Sequence, residues 1–203
     1  MKKYAVLHEP GDIVTLAGTR FVVLDVERRG SLPDSLFLLA LESVGASEFG
    51  SSNNYAESDL KKAVDKWLED MGKRGLDNAK LIPREIDLTT LDGSGCYGKL
   101  SVKAAPLTLD EAREYADIIP NAERWCWLAT GWSGPSKSDG DYALCVNSSG
   151  DWGHGGCSDS YGIRPALKIP SDLLLDSADK PDLSEVPTDT LLEEIRRRVV
   201  DKA

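Results

Sequence analysis

The chain has 203 residues, 41% hydrophobic and 29% charged, with a net charge of −10 and a pI near 4.7. That length suffices for one well-cored domain of about 150–180 residues plus an appendage, and the composition argues against wholesale disorder. The acidic balance repels phosphate backbones, so nucleic acid is not the expected partner. The one dense basic cluster, Arg196, Arg197 and Arg198, lies in an otherwise acidic tail.

The first ten residues hold only a short aliphatic run, Ala5-Val6-Leu7, against the roughly 7–15 apolar residues of a secretory signal. No apolar run approaches the roughly 20 residues that span a bilayer. The expectation is a cytoplasmic protein without membrane insertion, with association to a phage particle as a further destination.

Residues 12–16 and 20–26 read as two strands joined by a short connection containing Gly18. A third strand at 35–41 is almost wholly apolar and is expected to be buried on both faces. The polar stretch 43–57 reads as a loop. Ser58 is a natural N-cap for a helix in which Leu60, Val64, Trp67, Leu68 and Met71 recur at helical spacing, closed by Gly72 and Gly75. A second helix starts at Thr108, which with Glu111 fits a reciprocal capping box. Leu109, Ala112, Tyr115, Ala116 and Ile119 form its stripe and Pro120 stops it.

Beyond residue 121 short strands are expected at 125–129, 142–146 and 162–169, the last with Pro165 at a bulge, start or edge. Between them lie two loops, 130–141 and 147–161, built largely from Gly, Ser, Asp, Asn, Trp, His and Tyr. A linker over 171–187 and an appended helix over 188–203 follow, so the domain is expected to span 1–170. Trp125 and Trp127 alternate on one strand and should point together into the core.

Cys96, Cys126, Cys145 and Cys157 form no CxxC pair, and His8 and His154 have no metal-ligand partner at a useful spacing. Hence no metal, cofactor or catalytic residue is assigned. The cysteines read as small buried side chains, with a bridge from Cys157 to Cys126 or Cys145 left open. Arg164, flanked by apolar residues and Pro165, is expected to have a structural role, held by a buried carboxylate or by loop carbonyls.

The order of strand pair, buried strand and two helices, followed by Trp127-Leu128 and Gly162-Ile163-Arg164-Pro165-Ala166-Leu167, resembles a family of bacterial and phage domains of unknown function. That family is similar to the variable proteins of diversity-generating retroelements and, more remotely, to formylglycine-generating enzymes. The resemblance covers roughly residues 10–170. It implies an α+β, C-type-lectin-like (formylglycine-generating-enzyme-like) domain with two helices packed on short twisted sheets, whose last strands and loops display a ligand-binding face. The segment matching the diversified positions is 147–161. Its composition is one that adenine-directed mutagenesis produces and one that ordinary loops share.

Trp132, Tyr142, Trp152 and Tyr161 are the candidate aromatic anchors. Asp139, Asp141, Asn147, Asp151, His154 and Asp159 are their candidate hydrogen-bonding partners. Tyr and Trp bring contact area at low side-chain entropy cost, and Ser, Gly and Asn adapt locally. Calcium-dependent lectins present Trp-Asn-Asp and Glu-Pro-Asn type stretches, where this chain has Gly150-Asp151-Trp152-Gly153. The expected activity is therefore recognition of a protein or glycan rather than catalysis, with self-association open. The alternatives are an oxidoreductase related to the formylglycine generators, using Cys145 or Cys157, and an intracellular assembly module that docks through the C-terminal helix.

Overall fold

A computed structural model describes residues 2–4, 8–29, 32–171 and 173–177. Among these described residues the architecture is mixed α+β: mostly sheet, two α-helices and no closed barrel. The first hairpin pairs β2 (Ile13–Leu16) with β3 (Thr19–Arg29) through the two-residue turn Ala17-Gly18. Both turn residues take positive φ, +47° and +76°, the conformation that matches the right-handed twist of paired strands. Next to β3 lies β4 (Leu32–Ala40). Leu36, Leu38 and Ala40 face one apolar cluster while Phe37 and Leu39 face another. From Ser35 to Ala40 this strand is buried on both faces, as its unbroken apolar run predicts.

The seven-stranded sheet is completed by β1 (Lys2–Tyr4), β8 (Ala104–Ala105), β13 (Ala166–Pro170) and β14 (Leu174–Ser177), in the order β1-β14-β2-β3-β4-β13-β8. β14 pairs with β1 and β2, so the sheet continues past residue 170 into the stretch read as linker. The remainder of that linker and the expected helix at 188–203 lie outside the described residues.

The segment 43–57 is not a plain loop: it carries β5 (Ala46–Glu48) and a 3-10 turn at Tyr55–Glu57. Helix α1 (Asp59–Lys73) begins as its sequence dictates, with the Ser58 hydroxyl accepting from Lys61 N–H at 2.9 Å. It buries Leu60, Val64 and Met71, and the half-buried Trp67 packs 6.3 Å from Phe21. Gly72 lies within the helix rather than ending it. After α1, β6 (Arg84–Asp87) and β7 (Lys99–Val102) form a separate hairpin.

The capping box at Thr108 and Glu111 is complete, but α2 (Leu109–Glu114) is shorter than its apolar stripe suggests. The chain leaves the helix at Tyr115, and the amides of Ile118 and Ile119 both return to the Tyr115 carbonyl. Glu111 has a second task. Its other carboxylate oxygen accepts from the buried Arg84, whose Nη2 also donates to the Ala105 and Pro106 carbonyls. The ion pair ties β6 to the first turn of α2.

The second sheet has five strands, in the order β11-β10-β9-β12-β5, with β9 (Cys126–Gly131), β10 (Tyr142–Val146), β11 (Trp152–Gly156) and β12 (Ser160–Gly162). The expected loop 147–161 therefore contains strand β11 and the start of β12 between two turns, and the expected strand 162–169 is broken at Ile163–Pro165. Pro165 contributes only its carbonyl, which accepts from Ala40 N–H; a residue without an N–H suits the entry to β13. Period-two alternation in β9 sends Trp127 and Ala129 to the larger cluster and Leu128 to the smaller one. No helix among the described residues is long and apolar enough to cross a membrane.

Candidate functional site

The hairpin β10–β11 and the segments around it place the ten candidate residues in four settings. β10 and β11 pair in register from Tyr142 opposite Gly156 to Val146 opposite Trp152. Residues two apart share a face, so Tyr142 and Val146 lie with Trp152 and His154 on one side of the hairpin. Trp132 joins them: its ring centroid is 4.3 Å from that of His154, and the Tyr142 ring meets His154 edge-on at 5.5 Å. Trp152 is 45% exposed and Tyr142 37%. These four side chains form one aromatic strip along the outer strands of the second sheet.

Asp139 and Asp141 are exposed at the end of the 130–141 segment. The Asp139 carbonyl accepts from Tyr142 N–H, which fixes how the segment enters β10. Asp141 and Tyr142 border an open polar depression of about 460 Å³, closed on its other sides by Gly50, Ser51 and residues 156–159.

Asn147, Asp151 and Asp159 spend their polar atoms on turns. The Asn147 side-chain carbonyl accepts from the amides of Ser149 and Asp151, and its amide nitrogen donates to the Asp151 carboxylate. Such a side-chain-closed turn is what Asn and Asp do well between strands. Asp159 accepts from Gly156 N–H at 3.0 Å and from the Tyr161 hydroxyl at 3.3 Å, bracing the link from β11 to β12.

Tyr161 turns inward, away from the strip. Its ring lies 4.5 Å from Trp127 and is stacked with Trp125 at 6.0 Å. Both rings cover the glycine face of β11. A Cβ on Gly155 would stand 2.4 Å from the Tyr161 ring, and one on Gly153 would stand 2.6 Å from the Trp125 ring. Trp125 and Trp127, expected to share the core, part company here: Trp127 is 1% exposed and donates from its indole to the Ser47 carbonyl, whereas Trp125 is 42% exposed. Trp125 precedes β9 and reaches past the apolar cluster to the rim.

Residue Asn53 was not singled out by the sequence, yet it organises the site. Its buried side chain donates to the Ser133 and Tyr142 carbonyls, each at 2.9 Å, and accepts from the Tyr97 hydroxyl at 2.6 Å. Its backbone amide donates to the Gly140 carbonyl. The 130–141 segment is thus pinned at both ends by one residue. Outside, Lys137 pairs with Asp92, and that bond with the Thr90 hydroxyl holds the Asp92 carboxyl down at about 2. A local signal existed only for Asn54, which caps the 3-10 turn.

All four cysteines are free. Burial pushes the thiols of Cys145 and Cys157 up to about 12 and that of Cys126 up as well, the reverse of what an activated thiolate needs. Cys157 sits in the larger apolar cluster, while His154 belongs to the aromatic strip. Arg164 is buried and held by carbonyls: Nε donates to Ala40 and Nη1 to Pro120, both at 3.0 Å. The partners found are main-chain carbonyls rather than a carboxylate, one at the end of β4 and one in the turn after α2, not those of the 130–141 or 147–161 segments. No protein-family model, no curated protein and no solved structure matches this chain.

Proposed function

We propose that this chain is a recognition module of C-type-lectin-like type, allied to the variable proteins of diversity-generating retroelements, that docks another protein on its second sheet. One observation carries the reading: the strip of Trp132, Tyr142, Trp152 and His154, the last three held on the paired strands β10 and β11 and Trp132 placed against His154 just past the end of β9. Among the described residues only four large hydrophobic side chains are exposed, and two of them, Tyr142 and Trp152, belong to this strip. Aromatic side chains already held by neighbouring rings, as Trp132 and Tyr142 are by His154, lose little entropy on binding, which favours them as interface anchors. The adjoining depression by Asp141 and Tyr142 supplies polar groups at the rim, the usual arrangement around an apolar interface centre. A glycan seated in that depression is the second outcome for which the test allows.

The test has two arms. Photo-crosslinking from position 142 identifies a protein partner, and an array of defined oligosaccharides reports any glycan. Whichever ligand is found, the folded double variant Tyr142→Ala, Trp152→Ala is expected to bind it about 30-fold more weakly or worse, the loss expected when a hot spot of about 2 kcal/mol is removed. Trp125→Ala, on the opposite face, is expected to bind as the wild type does. Full affinity in the folded double variant would defeat the reading.

A further inference from the structure

Arg164 lies in the bend that carries the chain from the five-stranded sheet into the seven-stranded one. The residue is 7% exposed, and its Nη2 is buried with no hydrogen-bond partner. Among the described residues no carboxylate pairs with it. Glu42, the acid whose field reaches it, is engaged by Arg20. The neighbouring Cys126 thiol is kept neutral by burial. A guanidinium stays charged at any pH a protein survives, and an interior charge without a counter-ion is costly.

The same guanidinium borders a cavity of about 100 Å³ between α2 with its following turn and the second sheet. It also borders a smaller space of about 40 Å³ beside it. The walls are mostly apolar, formed by Ala112, Ala116, Ile119, Val146 and the exposed Trp152, with Asn121 as the polar side chain beside Arg164. The two spaces share Ala112, Ile119, Val146 and Arg164 as walls, and together they approach the roughly 150 Å³ of an apolar cavity that accepts a benzene ring, so a single ring or a short chain is the upper size that suits.

We propose that this cavity binds a small monocarboxylate with a compact apolar body, its carboxylate paired with Arg164 and its hydrocarbon lying against Ala112, Ile119 and Val146. The planar guanidinium fork matches a carboxylate, and Arg164, which lines the cavity, has no acidic partner of its own among the described residues. The mostly apolar walls disfavour a compact, strongly hydrated anion such as phosphate, which would lose more water than Arg164 and Asn121 replace.

Isothermal titration calorimetry with benzoate and hexanoate, against benzamide, hexanamide and inorganic phosphate, tests the assignment. A single saturable site is expected for the acids, with the neutral amides at least tenfold weaker. The indole N–H resonance of Trp152 should shift with the same isotherm. Replacing Arg164 risks the fold, because it also holds Ala40 and Pro120, so Ala116→Trp is the informative variant: the residue is exposed and lines the cavity. The substitution should abolish carboxylate binding and leave the melting temperature unchanged. Trp132→Ala and Tyr142→Ala should leave carboxylate binding intact, so a failure of the docking strip and a failure of this cavity read out separately. Equal binding of acid and amide, undiminished binding in Ala116→Trp, preference for phosphate, or no saturable site for either acid would each overturn the proposal.

Discussion

Replacing Asn53 with alanine should loosen the segment that presents the aromatic strip, and the cost can be worked bond by bond. Asn53 is 1% exposed and makes three side-chain hydrogen bonds. Loss of the donor to Ser133 strips that carbonyl in the interior, at about 1–3 kcal/mol. The Tyr142 carbonyl also accepts from Trp132 N–H, so it keeps one partner and its loss is about 1 kcal/mol. The half-buried Tyr97 hydroxyl can turn to water, which limits its share to about 0.5 kcal/mol. The sum is about 2.5–4.5 kcal/mol, a fall in melting temperature of roughly 5–18 °C for a chain of this size. Urea unfolding should show a lower midpoint with an unchanged slope, and hydrogen exchange should show protection lost at Trp132 and Tyr142. Tyr97→Phe should cost under about 1 kcal/mol. A stability within about 1 kcal/mol of wild type in Asn53→Ala, with those amides still protected, would refute the assignment of Asn53 as the pin.

Gly155→Ala should destabilise by about 1–3 kcal/mol in urea, because the new methyl displaces the Tyr161 ring from Trp127. Gly156→Ala, whose Cβ would meet nothing nearer than 3.6 Å, should be nearly silent. Thiol titration of the native protein should show prompt labelling of Cys96 alone, with Cys126, Cys145 and Cys157 reacting only in denaturant. Fast labelling of either Cys145 or Cys157 would contradict their burial. The Asp92 carboxyl, held down at about 2 mainly by Lys137, lies below the unfolded value of about 3.9. Its stabilising contribution is therefore complete above about pH 4 and fades as pH falls toward 2. Carbon NMR of Asp92 should titrate near 2, and Lys137→Met should raise that midpoint; a wild-type midpoint near 3.9 would rule out the tether.

The sequence by itself determined those elements whose cause lies within a few residues. Ser58 and Thr108 start their helices because each side chain reaches an amide three residues on. The run at 35–41 belongs between two apolar layers because neither of its faces offers a polar side to water. Alternation in β9 sorts Trp127 from Leu128 without reference to any partner strand. Tertiary structure decided the rest, because it depends on what a residue meets far along the chain. The glycines at 153 and 155 carry no strand signal of their own, yet they lie in β11, where they leave room for the rings of Trp125 and Tyr161. Asn53 finds its acceptors 80 and 89 residues away. Trp125 and Trp127 share a direction, but only the extent of the apolar cluster decides that one is covered and the other is left at its edge. Local rules set the direction and pairing of side chains, whereas burial and partnership are properties of the assembled layers.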